Sequence, residues 1–337
     1  MKAIGYYAPG TIDRDDALLD ITLPDPAPGP RDLLVEVRAI SVNPVDTKVR
    51  GGAAPAAGEA KVLGWDVAGV VRAVGAEVTL FELGDAVFYA GSIARAGGNS
   101  ELHVVDERIV GHKPTSLDFA QAAALPLTAI TAWELLFDRL GVPRDGGEGD
   151  SLLIVGAAGG VGSILVQLAR RLTKLKVIGT ASRANTAAWV RELGAHEVID
   201  HSKPIAEELK RIGVPQVEYI ASLTHTDAHF AQLVEALAPQ GKLGLIDDPA
   251  TLDANPLKRK AASLHWEFMF TRALFETPDM IEQQRLLDQV ARLVDAGVLR
   301  TTLGEHYGAI TAANLKRAHA HIESGKAKGK IVLEGFA

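Results

Sequence analysis

The segment GAAGGVG (156–162) has the residue types and spacing of a phosphate-binding turn. It follows the apolar run 151–156, which predicts a buried strand, and it opens the helical pattern 161–172. Glycines in this context allow a tight turn and close approach to a ligand, and the free N–H groups of the helix can hold a pyrophosphate. A glycine turn needed only for packing is the alternative, which the strand–turn–helix context disfavours. The predicted dinucleotide-binding residues are Gly156, Gly159, Gly160, Val161 and Gly162.

The residues after the second predicted strand indicate which dinucleotide is bound. An NAD-specific site places Asp or Glu about 20 residues beyond the loop, where the carboxylate accepts from the ribose 2′-OH. Here the chain reads GTASRANT (179–186), and no carboxylate follows the loop before Glu192. Ser182 and Arg183 stand where a 2′-phosphate would lie, and a guanidinium can pair with phosphate in bidentate fashion. We therefore expect NADP(H); the alternative is that Arg183 is only a solvated residue at a helix start.

Composition narrows the chemistry further. The 337 residues include no cysteine, which excludes a disulfide, a thiol nucleophile and a cysteine-ligated zinc or iron–sulfur site. The net charge of −7 argues against a nucleic-acid partner, because phosphate backbones bind basic surfaces. No uninterrupted run of 18 apolar residues occurs, and the first residues, MKAIGYYAPG, lack an apolar leader. We therefore expect a cytoplasmic protein with no membrane span.

Short β-type segments separated by glycine and proline dominate the first 110 residues. The clearest are 33–42, 67–75, 86–91 and 100–105. No helical pattern of three turns occurs among them. Many short strands in succession predict a compact barrel or sandwich-like unit.

Strands and helices alternate regularly in the middle of the chain. Strands separated by helices of 8–12 residues predict βαβ units and a parallel sheet. Because this series stops near residue 270, we expect the following segment, with helices at 280–297 and 311–325 and a strand at 330–335, to pack on the N-terminal unit. The predicted strands of the series are 151–156, 176–181, 197–201, 217–223 and 241–247.

Taken in order, several segments resemble the medium-chain dehydrogenase/reductase superfamily and, within it, the zinc-independent quinone oxidoreductase branch. These segments are SVNPVDTKVR (41–50), LGWDVAGVVRAVG (63–75), GDAVF (84–88), AAALPLTAITAW (122–133), the glycine loop and GKIVL (329–333). The resemblance covers nearly the whole chain. It implies an α/β fold with two domains. These are a GroES-like β-rich catalytic domain over residues 1–122, completed by 273–337, and a Rossmann doubly wound parallel-sheet domain over 123–272.

The resemblance also allows a test for a catalytic metal. Zinc-dependent relatives hold the ion with Cys, His and Cys, and the matching positions here are Asn43, Trp65 and Leu127. None of these side chains supplies a thiolate or an imidazole. Elsewhere, His225 and His229 would be four residues apart on a helix, which is half a metal site, although a surface or capping role fits them better. We predict no zinc.

The same resemblance assigns catalytic positions near the nicotinamide. Asn43 could donate an amide N–H to a substrate oxygen or fix a water molecule. Asp46 could tether Lys48 or Arg50 or hold the loop, and an Asx-type turn after the proline is the alternative. Trp65 is expected to line the substrate pocket, with an ordinary core tryptophan as the alternative.

Two further positions are implied to contact the cofactor. Thr131 begins a helical segment at the domain junction, where relatives contact the nicotinamide phosphate or ribose; helix packing is the alternative. Lys330, in the GKIVL segment, is the other cofactor-binding residue that the resemblance implies.

Without a Lewis acid to polarise a simple carbonyl, the accessible acceptor is one that spreads incoming charge over a conjugated oxygen. The leading hypothesis is therefore an NADPH-dependent reductase of quinones or α,β-unsaturated carbonyls. Two alternatives are an NADP-dependent alcohol or carbonyl dehydrogenase and a nucleotide-binding protein with little catalysis. The resemblance implies a homodimer, and the apolar segment HWEFMF (265–270) fits an interface between subunits.

Overall fold

The computed structural model describes residues 1–337 and forms two compact units. The β-rich unit comprises Met1–Ile130 and Phe270–Ala337, and the parallel-sheet unit comprises Thr131–Met269. The sequence placed these borders at 122/123 and 272/273. Residues 123–130 group with the β-rich unit, where the backbone N–H of Leu127 donates to Asp66.

The first part of the chain supplies most strands of the β-rich unit. Three short helices and a single 3₁₀ turn interrupt the strands, and the third helix continues into a π-helical turn, Glu134–Arg139. The strands are β1 (Lys2–Tyr6), β2 (Leu19–Thr22), β3 (Asp32–Val42), β4 (Lys61–Val62), β5 (Val67–Val74), β6 (Ala86–Tyr89), β7 (Leu102–Asp106) and β8 (Val110–His112). The helices are α1 (Pro44–Gly52), α2 (Phe119–Ala123) and α3 (Pro126–Trp133), and the 3₁₀ turn is Glu107–Ile109.

The middle of the chain forms the parallel-sheet unit, which alternates strand and helix as predicted. Its elements are β9 (Ser151–Val155), α4 (Gly160–Leu172), β10 (Lys176–Thr180), α5 (Ala184–Glu192), β11 (Glu197–Ile199), α6 (Ile205–Arg211), β12 (Val217–Ser222), α7 (Thr226–Ala236), β13 (Leu237–Leu245), a 3₁₀ helix (Asn255–Lys260) and β14 (Ser263–Trp266).

The last part of the chain returns to the β-rich unit, as the sequence predicted. Its elements are α8 (Thr271–Leu274), α9 (Glu282–Asp295), β15 (Leu303–His306), α10 (Ala312–Glu323) and β16 (Lys330–Glu334).

The β-rich unit is built on a seven-stranded sheet and a smaller three-stranded one. The large sheet runs β15-β16-β3-β5-β6-β8, with β7 also paired to β3, and the small one runs β2-β1-β4. Strand β16 lies antiparallel to β3, with Ile331 opposite Val42. This pairing brings the start of β16 to the end of β3, although the two segments are almost 290 residues apart in the chain.

The parallel-sheet unit has six parallel strands in the order β11-β10-β9-β12-β13-β14. This is the strand order 3-2-1-4-5-6 of a doubly wound dinucleotide-binding fold. All five residues of β9, SLLIV, are buried, as expected for a central strand covered by helices on both faces. Together, the two units confirm the predicted α/β fold class with a GroES-like and a Rossmann-like part.

Helix α1 is the element that sequence reasoning missed in the N-terminal region. Its nine residues make about two and a half turns, too few for a clear apolar repeat. The signals that define it are local instead. Pro44 occupies the first turn, and Asn43 and Asp46 form a capping box.

One helical stretch, Phe119–Arg139, is long and apolar enough to cross a membrane when judged by length and composition alone. In the structure, 83% of its most apolar window is buried inside the protein. The stretch therefore has the environment of a core helix.

Candidate active site

A buried polar cluster lies where β3 ends and α1 begins. The backbone N–H of Asn43 donates to Asp46 Oδ2 over 2.7 Å, and the N–H of Gly64 donates to Asp46 Oδ1 over 2.9 Å. Both carboxylate oxygens of Asp46 thus accept from backbone. The suggested tether between Asp46 and Arg50 is wrong, because the Arg50 guanidinium pairs with Glu323 on α10. Asp46 joins the start of α1 to the loop before β5.

Asp66, the residue before β5, is fully buried and accepts three hydrogen bonds. Its Oδ1 accepts from the backbone N–H of Leu127 over 2.8 Å. Its Oδ2 accepts from the Asn43 side-chain amide over 2.8 Å and from Lys330 Nζ over 2.9 Å. Leu127 belongs to the first turn of α3, so the carboxylate also satisfies an N–H at a helix N-terminus, where negative charge is favoured.

Lys330, the first residue of β16, provides the cation of this cluster. Its ammonium donates to Asp66 Oδ2, to the carbonyl of Val42 over 3.0 Å and to Asn43 Oδ1. The side chains of Lys330 and Asp66 are 3% and 0% exposed. The sequence assigned Lys330 to the cofactor, but here its three donors are directed to oxygens within the β-rich unit.

The surroundings of the cluster shift the pKa values of both its carboxyl groups, Asp46 and Asp66. Burial raises the pKa of Asp46 to about 7, an effect that the Asn43 N–H and then the Lys330 ammonium oppose. Burial also raises the pKa of Asp66, and Lys330 is the main opposing influence. Two buried carboxyls with one ammonium therefore hold protons more tightly than exposed ones, because low polarity penalises the second negative charge.

The structure shows Trp65 as a core residue, the second of the two interpretations the sequence allowed. It is only 1% exposed, and its indole N–H donates to the carbonyl of Ser92 over 3.2 Å. Its ring meets the Phe270 ring edge-on, with the centroids 6.2 Å apart. An indole satisfied and packed in this way positions its neighbour Asp66 rather than presenting a free polar group.

The side chains at the cluster do not fit a zinc ion. The Asn43 amide nitrogen is committed to Asp66, Trp65 is packed in the core, and Leu127 contributes only a backbone N–H. Both carboxylates of the cluster are engaged, because Asp66 pairs with the Lys330 ammonium and Asp46 accepts from two backbone N–H groups. Zinc sites use thiolate, imidazole and carboxylate ligands in sets of three or four. No group of three or more such side chains in the molecule is arranged to hold a metal ion.

The glycine loop of the parallel-sheet unit has the geometry of a dinucleotide cradle. Gly156 adopts a φ of +80°, which ends β9 in a turn that favours glycine. A Cβ at Gly162 would lie 2.5 Å from the Gly156 carbonyl oxygen, so only glycine fits there. A Cβ at Gly159 would meet only that same oxygen, at 3.5 Å, so the loop is open on this side. The first N–H groups of α4, at Gly160, Val161 and Gly162, have no intrahelical acceptor and can bind a pyrophosphate.

The other predicted cofactor residues lie in different environments. Ser182 and Arg183 are exposed after β10, and Arg183 occupies the N-cap position of α5. Thr131 is buried in α3, and its contact with the cofactor stays a prediction. The residue that sequence reasoning missed is His201, after β11, whose Nδ1 lies 3.0 Å from the hydroxyl of Thr180. That hydroxyl also accepts from the N–H of Gly156 over 3.1 Å, so His201 is linked to the glycine loop.

Comparison with known families agrees with this architecture. Residues 29–121 match the alcohol dehydrogenase GroES-like domain, and residues 193–333 match the zinc-binding dehydrogenase family. The chain belongs to the medium-chain dehydrogenase/reductase superfamily and is quinone oxidoreductase-like. It is 38% identical to a zinc-type alcohol dehydrogenase-like protein of Staphylococcus epidermidis, covering 99% of both chains. It is 34% identical to a quinone oxidoreductase of Pseudomonas aeruginosa, covering 91% of this chain and 92% of the relative.

Solved structures show the same fold. One, from Rhizobium etli CFN 42 and assigned to the zinc-dependent alcohol dehydrogenases, is 59% identical, with a TM-score of 0.96, and covers 100% of this chain and 98% of its own. Another, the Escherichia coli quinone oxidoreductase complexed with NADPH, is 25% identical, with a TM-score of 0.84, and covers 99% and 100%. The family and the fold identify this protein as an oxidoreductase of the medium-chain dehydrogenase/reductase superfamily.

Proposed function

We propose that the protein is an NADPH-dependent reductase that delivers hydride to quinones or α,β-unsaturated carbonyls without a catalytic metal. The observation that carries this proposal is the buried Asn43–Asp66–Lys330 cluster. Of the three positions that match the metal ligands of the zinc-dependent relatives, Asn43 is bound to Asp66 and Lys330, Trp65 is packed in the core, and Leu127 offers only a backbone N–H. The positive charge at this place belongs to a lysine side chain, which cannot coordinate a substrate oxygen as a metal does.

The residues of the parallel-sheet unit fit a nicotinamide dinucleotide. The open side of the glycine loop and the N–H groups of α4 suit the pyrophosphate. No carboxylate follows β10 before Glu192, and the exposed Ser182 and Arg183 suit a 2′-phosphate. When bound, NADPH supplies a hydride from nicotinamide C4. Support for the phosphorylated form also comes from the Escherichia coli relative, which was solved with NADPH.

The side chains of the cluster include no strong group to polarise a simple carbonyl. This favours an acceptor that is already electron-poor. Hydride addition to the β-carbon of an enone moves an electron pair to the conjugated oxygen, and the resulting enolate takes a proton from water. A quinone takes up hydride and a proton to become the hydroquinone. Both acceptors delocalise the charge themselves, so their transition states need less stabilisation from the protein than that of a simple carbonyl.

Within this proposal, Asn43 and Asp46 act as positioning residues. The Asn43 amide is taken up by Asp66 and Lys330, and the Asp46 carboxylate by two backbone N–H groups. Trp65 holds the backbone beside Asp66. These bonds fix the end of β3, the start of α1 and the start of β16 relative to one another. They do not leave a free donor for substrate.

A homodimer is part of the same proposal. Strand β14 is an outer strand of the six-stranded sheet, and Trp266 and Phe268 beside it are 52% and 47% exposed. An outer strand flanked by exposed aromatic residues suits pairing with a second copy. Light scattering after gel filtration tests this point, and Trp266→Lys is expected to shift the protein to monomer.

The experiment that tests the function is oxidation of NADPH with a benzoquinone and with a short enone, beside simple alcohols with NADP⁺. We expect turnover with the first two, and NADPH to exceed NADH in kcat/KM. Lys326→Met, a change at an exposed lysine four residues before Lys330 in the sequence, is the control variant and should keep this turnover. Activity confined to simple alcohols would contradict the proposal.

A further inference from the structure

Three histidines and one arginine gather at the carboxyl edge of the parallel sheet. Arg183 follows β10, His201 follows β11, and His225 and His229 belong to the start of α7 after β12. Ligands of doubly wound folds bind at this edge. The rings of His201 and His229 lie 6.3 Å apart, centroid to centroid, at an angle of 66°.

His201 is tied to the glycine loop through a single hydroxyl. The Thr180 hydroxyl accepts from the N–H of Gly156 over 3.1 Å and lies 3.0 Å from His201 Nδ1. Since a hydroxyl has one proton, it can donate that proton to Nδ1 of the neutral ring, which then carries its own proton on Nε2. Protonation of Nδ1 reverses the bond without moving the ring. The imidazole is therefore held in place in both charge states.

Charged groups of both signs lie along this edge. Burial lowers the pKa of His201 first, followed by repulsion from His229 and then from His225 and Arg183, and Asp200 is the one acid that raises it. Burial and then His225 lower the pKa of His229, opposed by Asp227. After β13, the carboxylate of Asp247 accepts from the backbone N–H and the hydroxyl of Thr226, and Asp248 follows it in the chain. A dianion placed here would meet several donors and would favour the protonated rings.

The histidines do not form a metal site, since no suitably arranged set of three ligands exists. His225 has a φ of +52°, and its Nδ1 is 2.7 Å from the hydroxyl of Thr224. The group is a set of separate donors along one edge, which suits a phosphate with several oxygens better than a single metal ion.

We infer that His201, together with Arg183, binds the 2′-phosphate of NADPH and that a proton is taken up on the His201–His229 pair as the phosphate binds. This inference rests on the proposed function, because it requires NADPH at the glycine loop. It assigns a specificity-determining role to His201 and makes the preference for NADPH over NADH depend on pH. Because proton uptake and NADPH binding are linked, NADPH binding must weaken when the proton is removed.

The test is direct binding of NADPH and NADH between pH 7.0 and 8.5, a range in which the phosphate itself stays close to a dianion. For the unchanged protein we expect the Kd of NADPH to rise by about 3–10-fold across this range, as one linked proton allows. The Kd of NADH is expected to change less than about twofold. Competition by 2′,5′-ADP and by 5′-AMP should show the same contrast, which assigns it to the 2′-phosphate.

Two variants make the test specific. His201→Gln is expected to weaken NADPH binding at pH 7.0 about tenfold, to remove its pH dependence and to leave NADH unchanged. His196→Gln is the matched control, because His196 lies before β11, at the opposite edge of the same sheet, and glutamine can still accept from Val177 N–H. It should leave both nucleotides and their pH profiles unchanged.

The outcomes separate this inference from the function on which it rests. Binding of NADPH with the flat pH profile of NADH, or an unaltered profile in His201→Gln, would overturn the role of His201 while leaving the reductase proposal in place. Failure of both nucleotides to bind would overturn both.

Discussion

Replacement of Lys330 by methionine should lower the free energy of unfolding, because it leaves a buried carboxylate in the cluster without its counter-ion. The Lys330 ammonium lies 2.9 Å from Asp66 Oδ2, and both side chains are at most 3% exposed. At this distance and an effective dielectric constant of 20, their attraction is about 6 kcal/mol, part of which offsets the desolvation of both groups. Removing one partner leaves a buried carboxylate without a counter-ion, and such losses cost about 3–5 kcal/mol. The unfolding entropy of a 337-residue protein is about 0.7 kcal/mol/K, so the unfolding temperature should fall by roughly 4–7 °C.

Calorimetry or circular dichroism on Lys330→Met, Asp66→Asn and the double variant measures this coupling. The double variant should be less destabilised than the sum of the two single variants by at least about 2 kcal/mol, because it removes both charges together. Since burial raises the pKa of Asp66, lowering the pH protonates the orphaned carboxyl, and the loss in Lys330→Met should be smaller at pH 5 than at pH 8. Lys326→Met should be neutral. A loss below about 1 kcal/mol, or strict additivity, would refute a tightly coupled ion pair.

Three further predictions concern other positions. Asp46→Asn should cost about 1–3 kcal/mol in urea unfolding at pH 8, because an amide cannot accept from the N–H groups of both Asn43 and Gly64; an unchanged midpoint would contradict this. Burial, together with Glu134, raises the pKa of Glu267 to about 9. The free energy of unfolding should therefore fall as the pH rises from about 5 to 9, and Glu267→Gln should remove that fall. Equal pH profiles of the two proteins would argue against a proton held between Glu267 and Glu134. Gly162→Ala should lower the unfolding temperature, because its Cβ would clash with the Gly156 carbonyl oxygen. Gly159→Ala should fold normally but bind NADPH more weakly, which fluorescence titration can measure. The reverse pattern would contradict the loop geometry.

The alternation of strand and helix was predictable because each element carries its own period. Apolar runs such as SLLIV and the glycine turn after it are local signals, and the parallel sheet has them at the expected places. The short helix α1 was not predicted, because a helix of nine residues depends on capping rather than on an apolar stripe.

The buried cluster was only partly visible in the sequence. Asn43 and Lys330 were singled out, but the bond between them depends on β16 pairing with β3, a long-range contact that no local pattern encodes. Asp66 was not predicted, because its neighbour Trp65, and not Asp66, matches a metal-ligand position of the zinc-dependent relatives. A carboxylate directly before a buried strand, next to a tryptophan, was the available signal. His201 was missed for a similar reason, since its link to the glycine loop runs through Thr180 on another strand.

Deuteride transfer by metal-free protein tests the central claim most directly. The protein would be treated with a chelator, its zinc content measured, and then supplied with NADPH deuterated at nicotinamide C4 and a short enone. We predict that the chelator-treated protein, with no bound zinc, turns over at the same rate as untreated protein. We also predict deuterium at the β-carbon of the saturated product. Deuterium at the carbonyl carbon, or activity that requires added zinc, would contradict the account.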